Sequence, residues 1–269
     1  MGYWQNRFDE ANRAIRKKRP LVHHITNYVV MNLTANVTLA LGASPVMAHD
    51  IDEVEEMASL ASAVVLNIGT LSPRWVEAML AAGRTAKARK IPVIFDPVGA
   101  GATQLRTAVC RRILEEISPD IIRGNRAEVT ILAGAAAKIQ GVDSLEEGGM
   151  EPVDLYRALA KTSGAVVCVS GPVDWVSDGD RTLKVENGHP LFAKVTGMGC
   201  SATTAVGVYA CVGLPLLEST ALGMAAFGVC GEIAAENAQG PGSFVPALLD
   251  ALYHLPSPES GSRLRISEA

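Results

Sequence analysis

Charged residues are scarce in this sequence. Asp, Glu, Lys and Arg make up 19% of its 269 residues, against about 25% in an average soluble chain. The net charge is −4, and one basic run, RKKR at 16–19, stands alone. That excludes the Lys/Arg stripe a nucleic-acid partner requires; the run reads as a solvated end of an N-terminal helix. Aromatics reach only 5%, too few for a deep aromatic cage. Long hydrophobic runs are missing too. Gly, Glu, Ser or Thr breaks each one, and the opening stretch MGYWQNRFDEANRAIRKKRP is polar, so neither a signal peptide nor a membrane span is expected. The chain begins Met-Gly, yet Asn6 stands where a myristoylation signal has Ser or Thr. Its five cysteines are odd in number, with no C-x-x-C pair and no His at zinc spacing. This points to a reducing cytoplasm. Cys110, Cys168, Cys211 and Cys230 lie in apolar periodic segments and read as inert core residues. Cys200 alone follows a glycine turn.

What the sequence does have is Ala and Val. Hydrophobic residues reach 48% and mean hydropathy is +0.20, enough for a sizeable core. The low charge also points to buried subunit contacts. Short, nearly unbroken apolar runs (LVHHITN, AVVLNIG, IPVIF, DIIRGN, AVVCVSG) alternate with helical stretches such as DIDEVEEMASLA, SPRWVEAMLAAGRTAKARK and RTAVCRRILEEI. Such runs suit strands buried on both faces, and the alternation predicts a parallel sheet with helices on each side. Ser72-Pro73 supplies a helix cap and a first-position proline. A Gly- and Glu-rich loop is expected over 141–152. After Gly171 the rhythm changes: VDWVSDG and RTLKVENG predict an antiparallel hairpin, and two helices of small residues follow. No linker divides the chain, so 1–269 reads as one domain, with a tail from about 256 (SPESGSRLRISEA) expected to be disordered.

Ligands of open α/β sheets lie at the carboxyl ends of the strands. Asp96 ends one apolar run ahead of PVGAG; Arg123 ends another, with Asn125 and Glu128 three apart on a helix start; Ser170 ends a third. Two carboxylates with water ligands suit Mg²⁺ beside phosphate oxygens. Asp96 is otherwise a cap or turn residue, and Glu128 otherwise a favourably placed helix-start acid. The stretch KVTGMGCSATT exposes backbone N–H groups at a helix start, where anions bind. GMGCSA matches G-x-G-x-x-A, but no strand precedes it in a dinucleotide-binding context, and Glu218 sits inside a helical pattern; an oxidoreductase is therefore set aside. No Walker A motif is present.

The segments LVHHITNYVVMNLTANVTLALGASPVMA, LNIGTLS, DPVGAGAT, RGNRAE, KVTGMGC and GPGSF, in this order over roughly residues 10–255, resemble the hydroxyethylthiazole kinase family of the ribokinase-like superfamily. The resemblance implies a three-layer α/β/α sandwich with a mainly parallel central sheet. It implies ATP-dependent phosphorylation of the thiazole's primary alcohol in thiamine salvage, with Mg²⁺, in a homotrimer whose thiazole sites lie at subunit interfaces. By motif matching, Asn125–Glu128 is the N-x-x-E associated with magnesium and phosphate; with the carboxylate pair at the strand ends, Asp96 and Glu128 are the expected metal residues. Arg123, Ser170 and Asn125 are expected at ATP, and Met47, Gly197 and Asn27 at the thiazole. Ser170 stands where relatives often have Thr, and Met198 where they often have Ala. The alternatives are a related kinase for another small alcohol, such as hydroxymethylpyrimidine, or a nucleotide binder without turnover.

Gly197, Gly199 and Cys200 are the expected catalytic turn. Glycines let backbone approach phosphate closely. Most ribokinase-like enzymes have Asp where this chain has Cys200. A thiol of reference pKa ~8.5 beside phosphate is expected to be a poor base at neutral pH, leaving a weak base, an orienting contact or a small filler. One of His23 and His24 lines the pocket, or both are ordinary strand residues. GPGSF is a loop over the nucleotide or a helix connection.

Overall fold

The computed structural model describes residues 2–140 and 152–269. The loop expected over 141–152 thus lies outside the described residues, except Pro152, which opens a helix.

Nine strands form one sheet: β1 (Leu21–Ile25), β2 (Ser44–Val46), β3 (Ala63–Asn67), β4 (Val93–Asp96), β5 (Ile121–Asn125), β6 (Val166–Ser170), β7 (Asp174–Ser177), β8 (Thr182–Val185) and β9 (Ile266–Glu268). Their order is β2-β1-β3-β4-β5-β6-β7-β8-β9. From β2 to β6 all pairings are parallel, and from β6 to β9 all are antiparallel. The expected parallel core and the hairpin of β7 and β8 are both present.

Side-chain alternation divides the core into two layers. Val65, Ile94 and Ile121 face α1 (Tyr3–Lys18), α2 (Met31–Ala40), α8 (Met198–Ala210), α9 (Leu216–Asn237) and α10 (Pro241–Tyr253). Val64, Leu66, Phe95 and Ile122 face α3 (Val54–Leu60), α4 (Pro73–Ala88), α5 (Gln104–Glu116), α6 (Arg126–Gln140) and α7 (Pro152–Ser163). Helices on both faces explain why the middle strands read as continuous apolar runs. Ser72 caps α4 as expected, its hydroxyl accepting from Trp75 N, with Pro73 at the first turn. α9 is long and apolar enough to cross a membrane, but 83% of its apolar window is buried inside the protein. It is a core helix.

Two elements depart from expectation. β2 is a short edge strand that the apolar runs did not predict; α2 ends before Gly42, whose φ of +92° turns the chain onto the sheet edge. The tail is ordered rather than disordered. Ser257 and Ser260 form a reciprocal capping box that opens α11 (Pro258–Ser262), and β9 pairs with β8 in the register Val185↔Ile266. A single apolar residue, Ile266, is enough where the open edge of β8 supplies the backbone partners.

Candidate active site

The strand order brings the chemistry together. β1, β3, β4, β5 and β6 are successive neighbours, so Asn27, Asn67, Asp96, Arg123 and Ser170 lie in sequence along the carboxyl edge of the sheet. The start of α8 caps this edge. Gly197 is its N-cap with φ 83° and ψ 0°. A Cβ there would lie 2.6 Å from Val30 Cγ1, so both the backbone and the space require glycine. The N–H groups of Met198, Gly199 and Cys200 have no partner within the helix and form a site of positive potential.

A chain of amide hydrogen bonds holds Cys200. Asn27 Nδ2 donates to Asn67 Oδ1 at 2.8 Å and to Cys200 Sγ at 3.6 Å. Asn67 Nδ2 donates to Cys200 Sγ at 3.2 Å and to Asp96 Oδ2 at 2.8 Å, where Thr203 Oγ1 also donates at 2.8 Å. The sulfur thus accepts from two amide N–H groups. Burial pushes the Cys200 thiol up to about 11, and the negative charge of Asp96 adds to it; the two amides oppose this. Cys200 is therefore a thiol at neutral pH. Asp96 is 1% exposed. Burial pushes its carboxyl up to about 6, against the opposing charge of Arg123 and the hydroxyl of Thr203.

Glu128 is a helix-start acid in this structure. Its Oε2 accepts from Asn125 N at 2.8 Å, while Asn125 Oδ1 accepts from Glu128 N at 3.0 Å, a reciprocal cap on α6. Its Oε1 accepts from Gly99 N at 2.8 Å, shaping the PVGAG loop. Its negative charge adds to the upward push on the Asp96 carboxyl. Among the described residues no group of three or more His, Cys, Asp or Glu side chains could hold a metal.

Beside the α8 start opens a cleft of about 800 Å³. Arg123, Asn125, Ser170 and Asp174 line one side, Met198 and Gly199 its end. Arg123 is 7% exposed; Nη1 donates to Gly199 O at 3.0 Å, and Nε is buried without a partner. Ser170 Oγ makes a long bond to Gly124 O at 3.4 Å and is half-buried. Met198, the longer side chain at this turn, is buried in the core layer and lines the cleft.

Met47 follows β2 at the same end of the sheet and is half-buried. Near Asn27, Tyr28 and Val29 are 65% and 64% exposed, and the Tyr28 ring stacks on Trp75 with centroids 4.6 Å apart. His23 and His24 are absent from the cleft lining. His23 Nε2 bonds Ala48 O and His24 Nε2 bonds Thr38 Oγ1, both rings wholly buried. GPGSF opens α10 with Pro241 in its first turn, a helix connection that is absent from the cleft lining. Glu218 is buried on α9, where it accepts from Tyr3.

Sequence reasoning missed four residues. Asn67 bridges Asp96 to Cys200; Thr203 ties Asp96 to the Gly199 carbonyl at the α8 start; Asp174 enters the cleft wall from the hairpin; Arg106 donates to Ile68, Val98 and Gly69 carbonyls and ties two loops together. Asn67 carried a usable signal, a polar residue ending an apolar strand in AVVLN.

Comparison with known proteins identifies the family and the fold. The sequence profile of the Hydroxyethylthiazole kinase family matches residues 13–258. The hydroxyethylthiazole kinase of Desulfatibacillum aliphaticivorans is 53% identical over 253 residues, covering 93% of this chain and 94% of that protein. The solved structure of a hydroxyethylthiazole kinase protein from Pyrococcus horikoshii OT3 superposes with TM-score 0.88 at 42% identity, covering 98% of this chain and 99% of that one. A pyridoxal kinase from Staphylococcus aureus, solved with AMP-PCP and pyridoxal, shares the fold at TM-score 0.63 and 14% identity, covering 93% and 99%.

Proposed function

The chain belongs to the hydroxyethylthiazole kinase family, and from that premise we propose how its residues divide the work. It is a kinase that uses ATP to phosphorylate the alcohol of hydroxyethylthiazole in thiamine biosynthesis. ATP occupies the 800 Å³ cleft, with Arg123, Asn125 and Ser170 along it. Its γ-phosphoryl meets the free N–H groups of Met198, Gly199 and Cys200. The observation that carries this reading is the meeting of three features: the glycine-bounded α8 start, the unpaired Arg123 Nε, and a cleft that opens onto both. The thiazole lies on the opposite side of the turn, against Gly197, Asn27 and Met47.

Phosphoryl transfer depends on positioning and charge stabilisation, and its loose transition state requires little activation of the nucleophile. The Cys200 thiol orients the substrate hydroxyl without taking its proton. As the new P–O bond forms and the bond from the γ-phosphorus to the β-phosphate oxygen breaks, releasing ADP, that proton passes to an oxygen of the transferred phosphoryl group. Asp96 and Glu128 would hold Mg²⁺. Their oxygen-only donor set suits it, and a buried carboxyl pushed up to about 6 is one that lacks a full counter-charge. When bound, the ion neutralises charge on the phosphate oxygens.

The exposed Tyr28 and Val29 beside the thiazole residues support a homotrimer with interfacial substrate sites, since a second subunit would cover them. Five free cysteines fit a reducing cytoplasm. ADP release with and without hydroxyethylthiazole tests the assignment. Release driven equally well by hydroxymethylpyrimidine alone, or by no alcohol, overturns it.

A further inference from the structure

The segment after residue 258 falls outside the span matched by the family profile, yet it is knotted to the wall of the nucleotide cleft. Arg265 is the point of attachment. Its Nε and Nη2 donate to Glu186 O at 3.0 and 2.7 Å, and Nη2 also donates to Glu232 Oε1 at 2.5 Å. That same Glu232 oxygen, on α9, accepts the Gly188 N–H at 2.8 Å and Asn187 Nδ2 at 3.2 Å. The backbone closes the knot. Arg265 N donates to Asn187 Oδ1 at 2.9 Å, and Asn187 Nδ2 donates to Arg263 O at 2.8 Å. The Asn187 side chain is thus committed inward.

Asn187, Gly188 and His189 line the cleft. His189 Nδ1 accepts from Leu191 N at 3.3 Å and caps the 3-10 turn Pro190–Lys194. That turn carries Phe192, whose ring stacks on Phe227 of α9 with centroids 5.0 Å apart, and both rings line the cleft. The seat on α9 is cut to fit. A Cβ at Gly228 would lie 2.7 Å from Asn187, and one at Gly231 would lie 2.1 Å from the Phe192 ring. Gly188 itself sits at φ +147°, a freedom that leaves an untied loop many conformations.

We propose that Arg265, acting through Glu186 and Glu232, is a positioning residue for the nucleotide. It pre-orders the wall formed by residues 187–192, so ATP binding does not have to order it. The inference rests on the reading of this cleft as the ATP site. Asn27 and Met47 are outside the cleft lining, so thiazole binding is independent of the knot.

The test is steady-state kinetics in both substrates, with ADP titration and thermal melting, on the full chain. The Arg265 side chain is 49% exposed, so Arg265→Ala folds. It raises KM for ATP and Kd for ADP by about three- to ten-fold, the scale of one lost charge-assisted hydrogen-bond set. kcat, KM for the thiazole and the melting midpoint stay as in the parent, and Arg265→Lys recovers part of the loss. Unchanged ATP parameters in Arg265→Ala, with raised ones in Arg123→Ala, overturn the inference and leave the cleft assignment standing. Unchanged parameters in both variants overturn the cleft assignment and this inference with it. Parallel loss of thiazole affinity and melting temperature shows general destabilisation and also overturns it.

Discussion

Replacing Cys200 by Asp tests whether the thiol is a base or a guide. The sulfur receives N–H groups from Asn27 and Asn67, and these would serve a carboxylate at least as well. Burial and Asp96 hold the thiol up to about 11, so at pH 7 only about one molecule in 10⁴ carries a thiolate. A positioned base contributes typically ~10²–10⁴-fold, and a loose transition state draws on the low end of that range. Cys200→Asp should therefore keep kcat or raise it by up to about 10²-fold. Cys200→Ala, which removes the contact to the substrate hydroxyl, should lower kcat. The assay is ADP release at saturating ATP and thiazole from pH 6.5 to 9.5. Wild-type kcat should be nearly level across this range. A tenfold rise per pH unit towards 11 would mean the rare thiolate does the work, and identical rates in all three proteins would strip the thiol of any role.

Asp96→Ala and Glu128→Ala should each raise the Mg²⁺ concentration giving half-maximal rate; ordinary metal dependence in both would show that other groups hold the ion. Gly197→Ala should cost about 1–2 kcal/mol for the left-handed backbone, add the clash with Val30, and cut kcat at least about tenfold. A wild-type rate in that variant would remove the turn from the mechanism. Burial pushes His24 down to about 3, below the ~6.5 of an unfolded histidine. Its neutral form thus supports the fold above pH 6.5, and that support drains away as pH falls from 6.5 towards 3. Asp96 and Asp174, raised to about 6 by burial, act in the opposite direction. Comparing wild type with His24→Gln cancels them. Between pH 7.5 and 4.5 the stability difference should move in favour of the variant by about 2–3 kcal/mol, read by denaturant melts at each pH.

Much of the site was legible because its residues end buried strands. Asp96, Arg123 and Ser170 each follow an unbroken apolar run, and such runs are what a strand covered on both faces leaves in a sequence. Asn67 follows a run of the same kind, but its meaning depends on which strands are neighbours. Only the placement of β3 between β1 and β4 sets it between Asn27 and Asp96. Thr203 lies one helical turn beyond Gly199 and Asp174 begins a hairpin strand, so their partners come from tertiary packing. Glu128 shows a different limit. Spacing placed it on the helix face with Asn125, but not that both its oxygens already hold backbone amides. The tail was misread from its serines, which as Ser257 and Ser260 build a helix cap. β2 was lost because three residues on a sheet edge are too few to show a period.

The sheet order sets β1 and β2 at one end of the carboxyl edge and β5 and β6 farther along it, and the proposed function assigns one binding task to each stretch. In the proposed reading, the acceptor alcohol is served by the loops after β1 and β2, the nucleotide by β5, β6 and the loops after the hairpin, and α8 begins between them. Altering side chains around Asn27 and Met47 can therefore retune which alcohol is accepted without disturbing affinity for the phosphate donor, a modularity that suits this scaffold to redesign for new acceptors.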